Sequence, residues 1–278
     1  MAASVFGSEL YNRLFPVGEV GKLFTDTAEV RAMLLVEGAL AKVQGDLGLI
    51  PAESAAFIHR SAMELQVDPG GLAASTAEVG NAVPAMVAAF AKLMEAPEHA
   101  EYLHFTAAAQ DISDTAQMLR LRQFLTHAGK ALEAFGADHT ALATLRDELP
   151  ALRAQVLRVS FSGTDATKSA EVRAALGKAL NLPDPQCDWH ADRSGLHALG
   201  DWVARVAQAL ADWALTQPAG VHAAAITALT GQINGFNDTL RRPVPTSQIA
   251  LFVEALVLPQ LCLCLGSAFE HAAALQAD

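Results

Sequence analysis

Charge is scarce in this chain, and positive charge is scarcest. Only 18% of its 278 residues are Asp, Glu, Lys or Arg, and 19 Lys and Arg stand against 30 Asp and Glu, a formal net charge of −11. No basic run occurs beyond the pair Arg241-Arg242. Broad binding to nucleic acid or to an anionic membrane surface needs clustered cations, so both partner classes are excluded. Cysteine is equally sparse. Cys187, Cys262 and Cys264 form no C-x-x-C pair, and their odd number suits packing in a reducing compartment better than a disulfide framework. The start, Met1-Ala2-Ala3-Ser4-Val5-Phe6, lacks the basic head and apolar block of a secretory leader, which leads to a cytoplasmic expectation. No G-x-G-x-x-G, P-loop, G-x-S-x-G or H-E-x-x-H occurs, and neither His222 nor His271 has a ligand-type partner four residues on. No metal and no cofactor are therefore expected.

Apolar residues supply what charge does not: they make up 52% of the chain, with a mean hydropathy of +0.25. That is rich for a monomer, and part of the apolar surface is expected to meet another subunit. The run Ile249 to Ala268 approaches membrane-span length, but Glu254 and Pro259-Gln260 interrupt it, so it reads as a buried bundle helix. The pattern is helical almost throughout, and the fold class is all-α. Asp26 and Glu29 suit a capping box, followed by the stripe Val30, Met33, Leu34, Leu40, Val43 and Leu47. Gly48 and Pro51 mark the stop of that helix. Further helices are expected over 52–66 and 82–95, punctuated by Asp68-Pro69 and Gly70-Gly71.

Two heptad-like seams follow: Met118, Leu121, Leu125, Ala128, Leu132, Phe135, and then Leu142, Leu145, Leu149, Leu152, Val156, Val159. Gly136-Ala137-Asp138 separates them, and Pro150 kinks or breaks the second. Later helices are expected over 166–180, 196–216, 222–229 and 248–275. The organisation divides into an N-terminal helical region, 1–103, and a long-helix bundle region with a shortened C-terminal part, 104–278.

The segment Tyr102 to Thr115, YLHFTAAAQDISDT, is a polar turn running into a long amphipathic helix. His104, Gln110, Asp111 and Thr115 stand beside the unpaired N–H groups of a helix start, an arrangement able to hold an anion. Gln110 donates. His104 serves equally as a ligand contact or as a histidine that holds the turn, and Asp111 and Asp114 are both well placed as helix caps.

This segment resembles the substrate-binding turn of the 3-carboxy-cis,cis-muconate cycloisomerases of the fumarase/aspartase superfamily, Y-[LV]-H-W-G-A-T-S-Q-D-I-x-D-T, with Ala108-Ala109 in place of Thr-Ser. Leu23 to Lys42 with Leu47-Gly48-Leu49-Ile50-Pro51 is similar to the first long helix of that family. Trp189-His190-Ala191-Asp192-Arg193 is similar to its W-H-x-x-R element, and Glu254-Ala255-Leu256-Val257-Leu258-Pro259-Gln260-Leu261 to its E-W-L-x-L-P-Q-L helix. The blocks lie in family order. The resemblance implies a fumarase/aspartase-like helical bundle with internal deletions, self-assembly as a tetramer or co-assembly with a full-length relative, and a dicarboxylate or tricarboxylate ligand. It implies a remnant substrate site at His104, Gln110, Asp111 and Arg193.

The family reaction closes a lactone in protocatechuate breakdown, and needs fixed donors for a developing charge plus a positioned acid or base. Here the Thr-Ser donors are replaced. The T-x-x-Q or T-H-x-Q element is absent after Ala131 to Thr140, where His139-Thr140 is the nearest substitute. Ser162 to Thr167 stands where the family has a glycine-rich G-A-A-G-T turn. The superfamily loop G-S-S-x-M-P-x-K-x-N-P has no match, and Gly231 to Gln248 occupies its place, with Thr246 and Ser247 reading as helix caps. The expectation is an oligomeric scaffold or carboxylate-binding relative with lost or strongly impaired catalysis. The alternative is an active cycloisomerase or lyase acting on a dicarboxylate.

Overall fold

A computed structural model describes residues 4–136, 139–163 and 166–277. Among these residues the regular structure is helical, with no strand. The helices are α1 (Asp26–Asp46), α2 (Ala52–Glu64), α3 (Ala73–Val79), α4 (Val83–Leu93), α5 (Pro97–Ala100), α6 (Ala109–Glu133), α7 (Thr140–Asp147), α8 (Leu149–Val156), α9 (Ala166–Leu180), α10 (Ser194–Ala214), α11 (Val221–Leu240) and α12 (Ser247–Ala277). Ala137 and Asp138 of the expected separator, and Thr164 and Asp165 of the expected 162–167 turn, lie outside the described residues.

Packing divides the chain into two compact units, and neither is continuous in sequence. One comprises Thr25–Leu121 and Leu157–Arg193; the other comprises Met1–Phe24, Arg122–Val156 and Ser194–Asp278. This differs from a single boundary at residue 103, because helices associate through their apolar faces and not by chain order.

In the first unit α1 packs on α2 and α9. The α1–α2 approach is close because α1 has glycine at the contact: a Cβ on Gly38 would lie 2.7 Å from Ala62 Cβ, and one on Gly45 2.3 Å from Ala55 Cβ. The helix starts one residue earlier than its pattern suggests. Thr25 is the N-cap, its Oγ1 accepting from Ala28 N–H at 3.1 Å, so Asp26 and Glu29 form no capping box. At the other end Gly48 is left-handed at φ 70°. Leu49 N–H reaches Gln44 C=O and Gly48 N–H reaches Gly45 C=O, a Schellman stop. Leu47 ends the stripe exposed and not buried. Residues 157–163 have no regular secondary structure and are tied to the rest by Val159 N–H to Pro183 C=O and by Trp189 Nε1–H to Val159 C=O.

In the second unit α10, α11 and α12 pack together, with α7 and α8 against α10. The seam from Leu142 is buried as expected, but from Leu142 to Val156 it is divided between two helices, since Pro150 sits in the first turn of α8, and Val159 lies beyond both. The expectation of a helix ending at Leu229 is corrected: α11 runs on through Gly231 and Gly235 to Leu240. Ile226, Leu229, Ile233, Asn237 and Leu240 form one buried face, and Thr230 Oγ1 donates to Ala207 C=O on α10 at 3.0 Å. Burial of that face outweighs the helix cost of two glycines, about 1 kcal/mol each. Thr246 caps α12, accepting from Ile249 N–H. Among the described residues α12 is the one helix long and apolar enough to cross a membrane; half of its most apolar window is buried inside the structure.

Candidate functional site

The turn between α5 and α6 is unusual in its backbone. His104 and Thr106 are both left-handed without being glycine, at φ 58° and 56°, a conformation that costs a side-chain-bearing residue about 1 kcal/mol or more. Contacts from α1 hold it there. Glu37 and Gln44 lie on the buried face of α1, each 1% exposed. Glu37 Oε1 is 2.6 Å from His104 Nδ1, and Gln44 Nε2 donates to Phe105 C=O at 2.7 Å. Beside the turn is a cavity of about 280 Å³, bordered by Phe105, Thr106, Phe161, Leu49, Lys168 and Ser169 among others.

Asp111, in the first turn of α6, collects donors from three segments. Its Oδ2 accepts from Ala108 N–H at 2.9 Å and from Ser162 Oγ at 3.1 Å. Its Oδ1 accepts from Ser160 Oγ at 3.1 Å and Ser162 N–H at 2.9 Å, and lies 2.9 Å from His190 Nε2. The cap expected of Asp111 is thus present, as one of several roles. Asp114 does not cap, which corrects the second half of that expectation. One turn further on, it forms a buried two-pronged pair with Arg193, Nη2 to Oδ1 at 2.8 Å and Nη1 to Oδ2 at 2.9 Å. Gln110 Nε2 donates to Asp114 Oδ2 and to His190 C=O, both at 3.2 Å. The guanidinium groups of Arg193 and Arg158 lie over the ring of Trp189, 5.0 and 4.9 Å from its centre, so the indole orders both.

The electrostatics follow from these contacts. Burial opposes ionisation of Asp111, yet the His190 hydrogen bond, the Ala108 N–H, the His190 charge and Ser160 outweigh it, and its pKa is lowered. For His190 burial again acts against charge, but Asp111 foremost, then Asp188 and Asp114, raises the pKa. His104 behaves alike: burial lowers, while the hydrogen bond and charge of Glu37 and the charge of Asp111 raise, and the net direction is up.

Ser160, His190 and Asp188 have the connectivity of nucleophile, base and orienting acid, with Ser160 Oγ 3.0 Å from Nε2 and Asp188 Oδ1 3.4 Å from Nδ1. The chemistry does not follow. Nε2 faces the Asp111 carboxylate and must carry a proton there, so it cannot accept one from Ser160, whose hydroxyl is itself buried and given to Asp111.

Gln110, Asp111 and Arg193 therefore share one network, and His104 stands beside it through the charge of Asp111. Glu37, Ser160 and Ser162 were not among the expected residues. A signal for Glu37 existed: Met33, Glu37, Leu40 and Gln44 follow helical spacing, so a carboxylate sits on an apolar seam. Nothing in the sequence pairs residue 111 with residues 160 and 162, which are about fifty positions away.

No family model matches the chain. It is 26% identical to the 3-carboxy-cis,cis-muconate cycloisomerase of Acinetobacter baylyi over 87% of its own length and 64% of that protein's. It is 29% identical to the enzyme of the same name from Pseudomonas putida over 74% of this chain and 50% of that one. The chain is thus similar over most of its length to 3-carboxy-cis,cis-muconate cycloisomerases, which are proteins of the fumarase/aspartase superfamily. The crystal structure of 3-carboxy-cis,cis-muconate lactonizing enzyme from Pseudomonas putida has the same fold, with a TM-score of 0.87, 23% identity, and cover of 96% of this chain and 76% of that one. The chain thus spans between half and two thirds of the length of those curated superfamily relatives.

Proposed function

We propose that this protein is a carboxylate-binding, self-associating member of the superfamily in which the lactonising chemistry is lost or strongly impaired. The observation that carries this reading is the connection of α11 to α12. Where the superfamily's signature loop is expected, the chain is helical to Leu240 and resumes as helix at Ser247, leaving only Arg241 to Thr246 between. A lost general acid or base costs about 10²–10⁴ in rate, and Ala108 and Ala109 add the loss of two hydroxyl donors. Assembly as a homotetramer, or with a full-length relative that lends the missing segments, and a cytoplasmic location belong to the same reading. A second reading, an active cycloisomerase or lyase on a dicarboxylate, is favoured by one feature: the Glu37–His104 pair keeps a titratable group at the turn.

The test is incubation of purified protein with 3-carboxy-cis,cis-muconate while the diene absorbance is followed. No turnover above the uncatalysed rate is expected. Turnover near the enzyme median, about 10 s⁻¹, overturns the reading. The double substitution Ala108→Thr, Ala109→Ser is expected to tighten tricarboxylate binding, since each hydrogen bond to a charged group contributes roughly 1.5–3 kcal/mol, without restoring turnover.

A further inference from the structure

Glu37 is a carboxylate in the middle of an apolar helix face, and only one of its oxygens is used. Oε1 meets His104 Nδ1; Oε2 is buried and has no hydrogen-bond partner among the described residues. Burying a carboxylate and leaving one oxygen unpartnered is costly. A Leu at this position would fit the same seam without that cost, so packing gives no reason for the acid. The histidine it meets is held in a left-handed backbone conformation, and the next carbonyl along, Phe105 C=O, is held by Gln44 two helical turns down α1. The two buried polar residues of α1 thus act on adjacent residues of one turn.

A carboxylate only accepts, so Nδ1 of His104 carries the hydrogen. The opposite edge of the ring, with Nε2, makes no hydrogen bond among the described residues, and the His104 side chain is 22% exposed while that of Glu37 is 0%. Other charges acting on the ring come from Asp111, on the first turn of α6. The ring therefore has one buried edge fixed to an acid and one edge available to a ligand, the arrangement in which a buried acid sets tautomer and orientation.

We infer that Glu37 is the positioning residue of this site: through Nδ1 it fixes the His104 ring so that Nε2–H faces outward as the donor to a ligand carboxylate. This rests on the carboxylate-binding reading above and assigns the group that makes the contact. Glu37 itself touches no ligand. Its effect is to raise the pKa of His104 and to keep the ring correctly turned, where a neutral partner would keep only the orientation.

The experiment uses the intact chain with ¹⁵N-labelled histidine, as wild type and Glu37→Gln, a substitution that keeps the shape and an accepting oxygen and removes the charge. Without ligand, His104 in the wild type is expected to be Nδ1-protonated and to titrate above free histidine; in Glu37→Gln its midpoint moves to lower pH. Propane-1,2,3-tricarboxylate serves as the unreactive probe, and its affinity at neutral pH is expected to fall about ten-fold in Glu37→Gln and to recover as pH is lowered. A wild-type His104 that titrates at or below free histidine overturns the inference, whether or not the variant folds. An unshifted His104 in Glu37→Gln, with probe binding intact, also overturns it and leaves the carboxylate reading standing. Failure of the wild type to bind the probe at all removes that reading, while the ligand-free titration still decides what Glu37 does to the ring.

Discussion

Asp114 and Arg193 form a pair whose two partners are both buried. Two matched hydrogen bonds compensate for their removal from water, and neither partner has that compensation alone. Arg193→Met is therefore expected to destabilise the fold by about 3–5 kcal/mol, because it leaves a buried carboxylate unpaired. Adding Asp114→Asn should recover a large part of the loss. Urea denaturation of the single and double variants checks this, and a double variant no better than the single would contradict it. The Asp111–His190 pair has a pH signature. Asp111 has its pKa lowered in the folded state, so its contribution is present above the ordinary carboxylate value of 3.8 and is lost as pH falls through the folded value. His190 has its pKa raised, so its contribution is full below the ordinary 6.5 and is lost as pH rises through the folded value. Stability should thus decline on the alkaline side of 6.5 in the wild type. In His190→Gln that decline should be reduced, as thermal denaturation across pH 6 to 9 would reveal.

Among the helices, glycine separates two situations that sequence alone does not distinguish. Gly231 and Gly235 lie inside α11 with nothing within 4 Å of a Cβ at either position. Gly231→Ala and Gly235→Ala are each expected to stabilise by about 0.5–1 kcal/mol. Gly38→Ala in α1 goes the other way, because its Cβ would meet Ala62 Cβ at 2.7 Å. Chemical denaturation of the three variants tests both signs at once. The burial that keeps α11 helical is tertiary: a segment of GQINGFND composition reads as loop until α10 and α12 cover one side of it.

Across the whole molecule, α12 is apolar around its circumference, and a helix of that kind is covered on most sides. Ile249, Phe252 and Leu256, at spacings of three and four, are nevertheless exposed, Leu256 by 74%. Self-association through this stripe is expected. Sedimentation at micromolar concentration should give a mass well above 29.2 kDa for one chain, and Leu256→Glu should lower it. A folded wild-type monomer under those conditions would exclude the assembly.

Periodicity alone determined that this chain is helical, where most helices run, and that the seams from Met118 and Leu142 are inside, because apolar spacing near 3.6 residues depends only on local order in the chain. The Schellman stop at Gly48 was legible for the same reason. His104, Gln110, Asp111 and Arg193 were singled out through their resemblance to family motifs, and the structure brings the last three into one hydrogen-bonded network. Tertiary structure alone decided which groups each of these meets. Asp114 reads as a cap and is half of a buried ion pair, Glu37 has no reading of its own beside the apolar stripe and holds a histidine, and α11 reads as a short helix and is a long one. In each case the deciding partner lies on another element, tens of residues away, and burial there sets the energy. Local spacing carries no information about that distant partner.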